Sequence, residues 1–171
     1  ESVPNRPVAE TAEEYLAFYK ACDDAIRAFA PDVRMGAIGG VNTGLIPLTV
    51  EPDWMRIIVT ELGDRIDFVD LHNAYAPILR NVGFDFKQVM TDDEYAATFM
   101  AAPEYVRDNL AATKEVLRRC APDHEIEIHI TEYGPLVYPF RPGGAAEKVS
   151  DMAWNRSLAG TLYLASLFHL F

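Results

Sequence analysis

The sequence predicts an α/β fold organised around a parallel sheet, on three observations. Helix-like and strand-like segments alternate strictly, in the order helix, strand, helix, strand, helix, strand, helix. The strand-like runs are short and apolar. The helical ones are long enough to carry the chain back across a sheet, which makes successive strands parallel. At 171 residues and 50% hydrophobic content the chain is ample for one globular domain spanning 1–171.

Each element has a local reason. Thr11-Ala-Glu-Glu14 is a capping-box signature, after which Tyr15, Phe18, Tyr19, Cys22, Ile26 and Phe29 recur at helical spacing until Pro31. That pattern predicts an amphipathic helix with those residues as its apolar stripe. Val33 to Gly40 reads as a short strand entering a glycine-rich turn, followed by a loop through Pro47. The next helix starts near Pro52, with Trp54, Ile57, Ile58 and Leu62 on one face and Gly63 as its cap. A strand over 66–72 follows. Thr91-Asp-Asp-Glu94 then offers a second capping box, for a helical region that Pro103 divides; its second part, 104–120, buries Val106, Leu110, Thr113, Val116 and Leu117. A strand over 126–132 precedes an irregular loop rich in Pro, Gly and aromatics, and a final helix runs from about Ser150.

Lys and Arg number 15 against 26 Asp and Glu, a formal net charge of −11. Nucleic acid and anionic membrane surfaces require a basic face that this balance does not readily supply, so neither is expected as a partner and a neutral or cationic small ligand is. Cys22 and Cys120 lie in helical patterns with no CxxC spacing, which predicts reduced, buried thiols, while the sequence leaves the compartment open, with a cytoplasmic setting favoured over a secreted one. Glu1-Ser-Val-Pro-Asn-Arg-Pro7 lacks an initiating Met and the apolar core of a signal peptide, and reads as a truncation. Leu158 to Phe171 is strongly apolar but shorter than the roughly 20 residues of a membrane span, and reads as a core helix.

The chemistry concentrates at two strand ends. Ile126, Ile128 and Ile130 share parity with Glu132, so a period of two sets the carboxylate atop an apolar column, with Glu127, His129 and Thr131 towards the helix layer. Upstream, Ile66-Asp-Phe-Val-Asp-Leu-His72 delivers His72 and Tyr75 at the end of its own strand. A carboxylate beside a His and a Tyr at neighbouring strand ends suits covalent glycoside hydrolysis, in which an ionised nucleophile is oriented by donors. Each residue also has a plainer reading. Glu132 could pair with a local Arg, His72 could satisfy a backbone carbonyl, and Tyr75 and Tyr133 could be amphipathic rim residues. Trp54 sits on a helix stripe and belongs to the core, whereas Trp154 follows the irregular loop. No metal site is expected, since His129 and Glu132 lie on opposite faces of a strand.

Ile130-Thr-Glu-Tyr-Gly134 resembles the nucleophile strand of clan A glycoside hydrolases, retaining enzymes built on a (β/α)8 TIM barrel. The segment from Ile66 to Tyr75 resembles their sixth strand and Val33 to Gly40 their fifth. The helices at Tyr15–Ala30, Glu104–Cys120 and Leu158–Phe171 resemble those after strands four, six and seven. Within the clan, Pro31-Asp-Val-Arg-Met-Gly36, Asp67-Phe-Val-Asp-Leu-His72 and Ile130-Thr-Glu-Tyr133 are similar to the α-L-arabinofuranosidases of family 51.

The resemblance implies a partial barrel, parallel strands five to seven with their helices, and makes the chain a truncated catalytic-barrel fragment. It implies Glu132 as nucleophile and Glu1, at the tip of strand four, as acid/base. His72, Asn73, Tyr75, Tyr133 and Trp154 become substrate-contacting residues. The motif's two-residue His-to-Tyr spacing is stretched here to His72-Asn-Ala-Tyr75. The implied substrate is an arabinose-containing plant polysaccharide or oligosaccharide, with no cofactor. The alternatives are another clan A specificity, such as β-xylosidase or endoglucanase, and a non-catalytic carbohydrate-binding fragment. In a partial barrel the inner-face residues Ile126, Ile128 and Phe68 lack their facing layer, so the 171 residues alone are expected to aggregate, form homo-oligomers or bind a hydrophobic dye.

Overall fold

The Thr11 capping box forms as the sequence predicts: the Thr11 hydroxyl accepts from the Glu14 amide at 3.2 Å and the Glu14 carboxylate accepts from the Thr11 amide at 3.3 Å. It starts helix α1 (Ala12–Phe29). The computed structural model describes residues 11–40, 53–72, 74–75, 91–134 and 156–171. Among them follow β1 (Gly36–Gly40), α2 (Trp54–Leu62), β2 (Phe68–Leu71), β3 (Ala74–Tyr75), α3 (Asp92–Cys120), β4 (Glu127–Ile130), β5 (Tyr133–Gly134) and α4 (Leu158–Leu170). The expected alternation is present. The strands are shorter than the sequence suggests, and the pair β3 and β5 was not foreseen. Gly63 caps α2 in right-handed helical geometry rather than as a left-handed glycine, and α4 begins after an Ser157 N-cap, well beyond Ser150.

The described residues gather into two compact units. The first holds α1, β1, α2, β2, the last part of α3 and β4 up to His129. Its sheet has the order β1-β2-β4, with β1 parallel to β2 and Gly36 opposite Phe68. It is a small parallel three-stranded sheet, consistent with a section of a barrel. Ala37, Val69, Ile126 and, at its margin, Ile128 pack with Leu16, Tyr19, Trp54, Ile58, Val59, Leu62 and Leu117 of the helices.

This reverses the expected facing of β4. The isoleucines meet the helices, as the buried side of a parallel sheet requires. Glu127 and His129 occupy the opposite face, where the imidazole stacks on Phe68 at 4.1 Å and bonds the Glu127 carboxylate at 2.9 Å. Arg34 also pairs with Glu127, at 2.9 Å. Phe68 lies so close over β1 that a Cβ on Gly36 would stand 2.0 Å from its ring, so any larger residue there would have to displace the phenyl group. Beside it, both backbone polar groups of Ile38 are satisfied by helix side chains. The Tyr15 hydroxyl accepts from its amide and the Trp54 indole donates to its carbonyl, each at 2.9 Å. Trp54 is thus a core residue, as expected.

The stripe of α1 is also corrected. Its buried face is Ala12, Leu16, Tyr19 and Asp23, whereas Phe18, Ile26 and Phe29 are exposed. The Tyr19 hydroxyl is buried with no hydrogen-bond partner among the described residues. Burial, and then the Asp23 carboxylate, push its pKa up from 10.0 to about 12. A raised acid pKa means that folding favours the protonated form. That contribution is complete below about pH 10 and lost as pH rises towards 12. Tyr19→Phe should therefore stabilise the fold by about 1 kcal/mol, since it removes an unsatisfied buried hydroxyl, and should flatten the alkaline end of the stability profile. Denaturant melts from pH 7 to 11 check both; a loss of stability in the variant would show that the hydroxyl has a partner.

The second unit holds the first part of α3, the end of β4, β3, β5 and α4. The Thr91 capping box forms as expected. Pro103, however, does not divide the helix: α3 runs unbroken for 29 residues with the proline inside. An interior proline costs about 3 kcal/mol in a lone helix. Here Phe99, Ala102 and Val106 around it are buried against Tyr163 and Leu167 of α4, and packing of that kind carries most helical stability. Cys22 and Cys120 are free, as expected, but half-buried. No helix among the described residues is long and apolar enough to cross a membrane.

Candidate active site

The site begins where β2 and β4 stop. Two residues follow each strand, His72 and Asn73 after β2 and Thr131 and Glu132 after β4, before the chain enters β3 and β5 respectively. Those two short strands pair in parallel, Ala74 opposite Tyr133 and Tyr75 opposite Gly134. Equal spacers followed by an in-register pair hold the two strand-end segments side by side. Gly134 sits at φ +150, a conformation that L side chains rarely adopt, which explains a glycine at the end of this pairing.

His72 and Glu132 meet there. The imidazole Nδ1 lies 3.4 Å from Glu132 Oε2, and Nε2 lies 3.1 Å from the Thr131 hydroxyl. The His72 side chain is 33% exposed and that of Glu132 56%, so the carboxylate is open to an incoming molecule while the imidazole is more enclosed. The sequence parity placed Glu132 at the costly top of an apolar column. Because β4 ends at Ile130, parity does not extend to Glu132, and the carboxylate escapes that burial.

An ionised carboxylate accepts hydrogen bonds but donates none. The group facing Glu132 Oε2 must therefore supply a proton donor, and His72 Nδ1, 3.4 Å away, is placed to do so when it carries a proton. The arrangement orients one carboxylate oxygen and leaves the residue exposed, as a nucleophile or an acceptor for substrate hydroxyls requires.

Of the other expected residues, Tyr133 sets its ring edge-on against Phe168 and Phe171 of the α4 end, at 5.6 and 6.0 Å, and remains 40% exposed. Tyr75 enters through its backbone, in register with Gly134. Its side chain, and Glu1, Asn73 and Trp154, lie outside the described residues. Thr131 is the residue that sequence reasoning missed. It was assigned to the helix side of β4, whereas it stands beyond the strand, against His72. Among the described residues no three His, Cys, Asp or Glu side chains are grouped to hold a metal.

No protein-family model and no curated protein matches the chain. Among solved structures the chain is similar to AbfB, a family 51 α-L-arabinofuranosidase from Bifidobacterium longum, with 17% identity and a TM-score of 0.51. The match covers 75% of this chain and 24% of that one, so the chain spans about a quarter of the length of the structure it matches. At that identity the likeness is one of fold alone, a distant structural similarity to part of that chain.

Proposed function

We propose that this chain contributes the nucleophile side of a retaining glycoside hydrolase site. In this reading the 171 residues supply the units of strands five to seven of a catalytic barrel. The observation that carries it is the contact of His72 Nδ1 with Glu132 Oε2 at 3.4 Å, between segments that leave neighbouring strands and run on side by side. Catalytic groups of parallel α/β barrels come from the C-terminal ends of different strands in this way. The activity of AbfB supports the finer reading, an α-L-arabinofuranosidase acting on arabinose-containing plant oligosaccharides or polysaccharides.

The chemistry follows from these roles. A Glu132 oxygen attacks the anomeric carbon as the glycosidic C–O bond breaks, and the departing oxygen takes a proton from the acid/base, proposed as Glu1. Water, giving a proton back to that same group, then attacks the anomeric carbon. The glycosyl ester breaks, and Glu132 is released as carboxylate. His72 donates to the carboxylate throughout. Tyr133, Tyr75, Asn73 and Trp154 are assigned to the substrate.

The test is a covalent trap. A 2-deoxy-2-fluoro arabinofuranoside with an activated leaving group should leave one glycosyl mass on the peptide containing Glu132, and aryl α-L-arabinofuranosides should be turned over. Labelling of another residue would move the nucleophile elsewhere. Turnover of aryl β-xylosides instead would shift the specificity within the clan, and saccharide binding without label or turnover would replace the enzyme by a binding module.

A further inference from the structure

We propose that Thr131 is a positioning residue that, by donating to Nε2 of His72, holds the imidazole in the form whose Nδ1–H faces the Glu132 carboxylate. The inference rests on the glycosidase reading above and names a residue to which that reading gives no role.

Both ring nitrogens of His72 are engaged: Nδ1 with Glu132 Oε2 at 3.4 Å and Nε2 with Thr131 Oγ1 at 3.1 Å. A neutral imidazole has one N–H and one lone pair, and the two partners are not equivalent. The ionised carboxylate only accepts. The hydroxyl both donates and accepts. One arrangement of a neutral ring therefore satisfies both contacts, with Nδ1–H donating to Glu132 and the Thr131 hydroxyl donating to Nε2. The opposite tautomer turns a lone pair towards the carboxylate and loses that hydrogen bond. The acceptor-only carboxylate selects Nδ1–H, and a hydroxyl that donates to Nε2 holds that form by giving the bare nitrogen its partner.

Two features make Thr131 suited to this. It is adjacent to Glu132 in the chain, so the two groups that engage the imidazole move together. Its β-branched side chain has restricted χ1 freedom, which limits the hydroxyl to few positions. A serine in its place keeps the donor and loses that restriction, whereas a valine keeps the shape and loses the donor.

The experiment compares wild type, Thr131→Val and Thr131→Ser in the whole protein that carries this chain. It reads kcat and KM on an aryl glycoside, and 15N shifts of a histidine-labelled sample at neutral pH. Wild-type His72 should show the pattern of a protonated Nδ1 and an unprotonated Nε2. Thr131→Val should lose that single-tautomer pattern and lower kcat about tenfold or more, the scale of one lost hydrogen bond in a charged pair, with KM within about twofold. Thr131→Ser should restore the pattern and most of kcat. An unchanged nitrogen pattern in Thr131→Val, or a Thr131→Ser as impaired as Thr131→Val, overturns the proposal. The nitrogen signature does not depend on turnover. A chain that never labels at Glu132 but loses its tautomer in Thr131→Val sinks the glycosidase reading and leaves the positioning role standing.

Discussion

Glu132→Ala should lower turnover of an aryl arabinofuranoside by about three decades or more, a transition-state loss of about 4 kcal/mol. The size follows from the role. Without the carboxylate there is no covalent intermediate, and the reaction must pass through an unassisted oxocarbenium-like state. The alanine also leaves space beside His72 that a small anion such as azide can enter. Azide attacking the anomeric carbon from that side should give a glycosyl azide of configuration opposite to that of the substrate. Restored turnover with that product would establish both the position and the nucleophilic role of the missing group. Activity within about tenfold of wild type would remove Glu132 from the mechanism.

What could be read from the sequence divides along a physical line between local and long-range determinants. The Thr11 and Thr91 capping boxes were legible because the bonding partners are three residues apart and visible in one stretch of chain. The apolar stripe of α1 was not. Counting hydrophobic residues favours Phe18, Ile26 and Phe29, but the face that is buried carries Asp23, whose partner Arg65 lies 42 residues away. Pro103 misled for a related reason, since the local cost of an interior proline was weighed without the packing of Phe99 and Val106 on α4. On β4 a period of two identified two columns, and the assignment of sides failed although polar Glu127 and His129 marked the open one. The closeness of His72 and Glu132 was legible, because residues just past the ends of neighbouring parallel strands must be near each other. The role of Thr131 was hidden by extending strand parity one residue too far.

The same Asp23 supplies the largest expected effect on stability. Its carboxylate is fully buried, with Oδ1 accepting from Arg27 Nε at 2.7 Å and Oδ2 from Arg65 Nε at 2.7 Å. Arg27 donates further to the Arg65 carbonyl at 2.9 Å, so one acid ties α1 to the turn that leads from α2 into β2. Asp23→Ala removes the acceptor and leaves two guanidinium groups facing each other. Breaking a buried pair by deleting one partner typically costs 3–5 kcal/mol. Here Arg27 and Arg65 are each about one-third exposed and can regain water, so the loss should sit at the low end, about 3 kcal/mol, or a fall in Tm of roughly 6 to 12 °C. Asp23→Asn, which keeps the volume and one acceptor, should lose less. Asp24→Ala removes the exposed second partner of Arg65 and should change stability by no more than about 0.5 kcal/mol, because surface pairs contribute little. Thermal and denaturant melts of the three variants decide it. A loss under about 1 kcal/mol in Asp23→Ala, or an equal loss in Asp24→Ala, would mean that the buried carboxylate does not hold α1 in place.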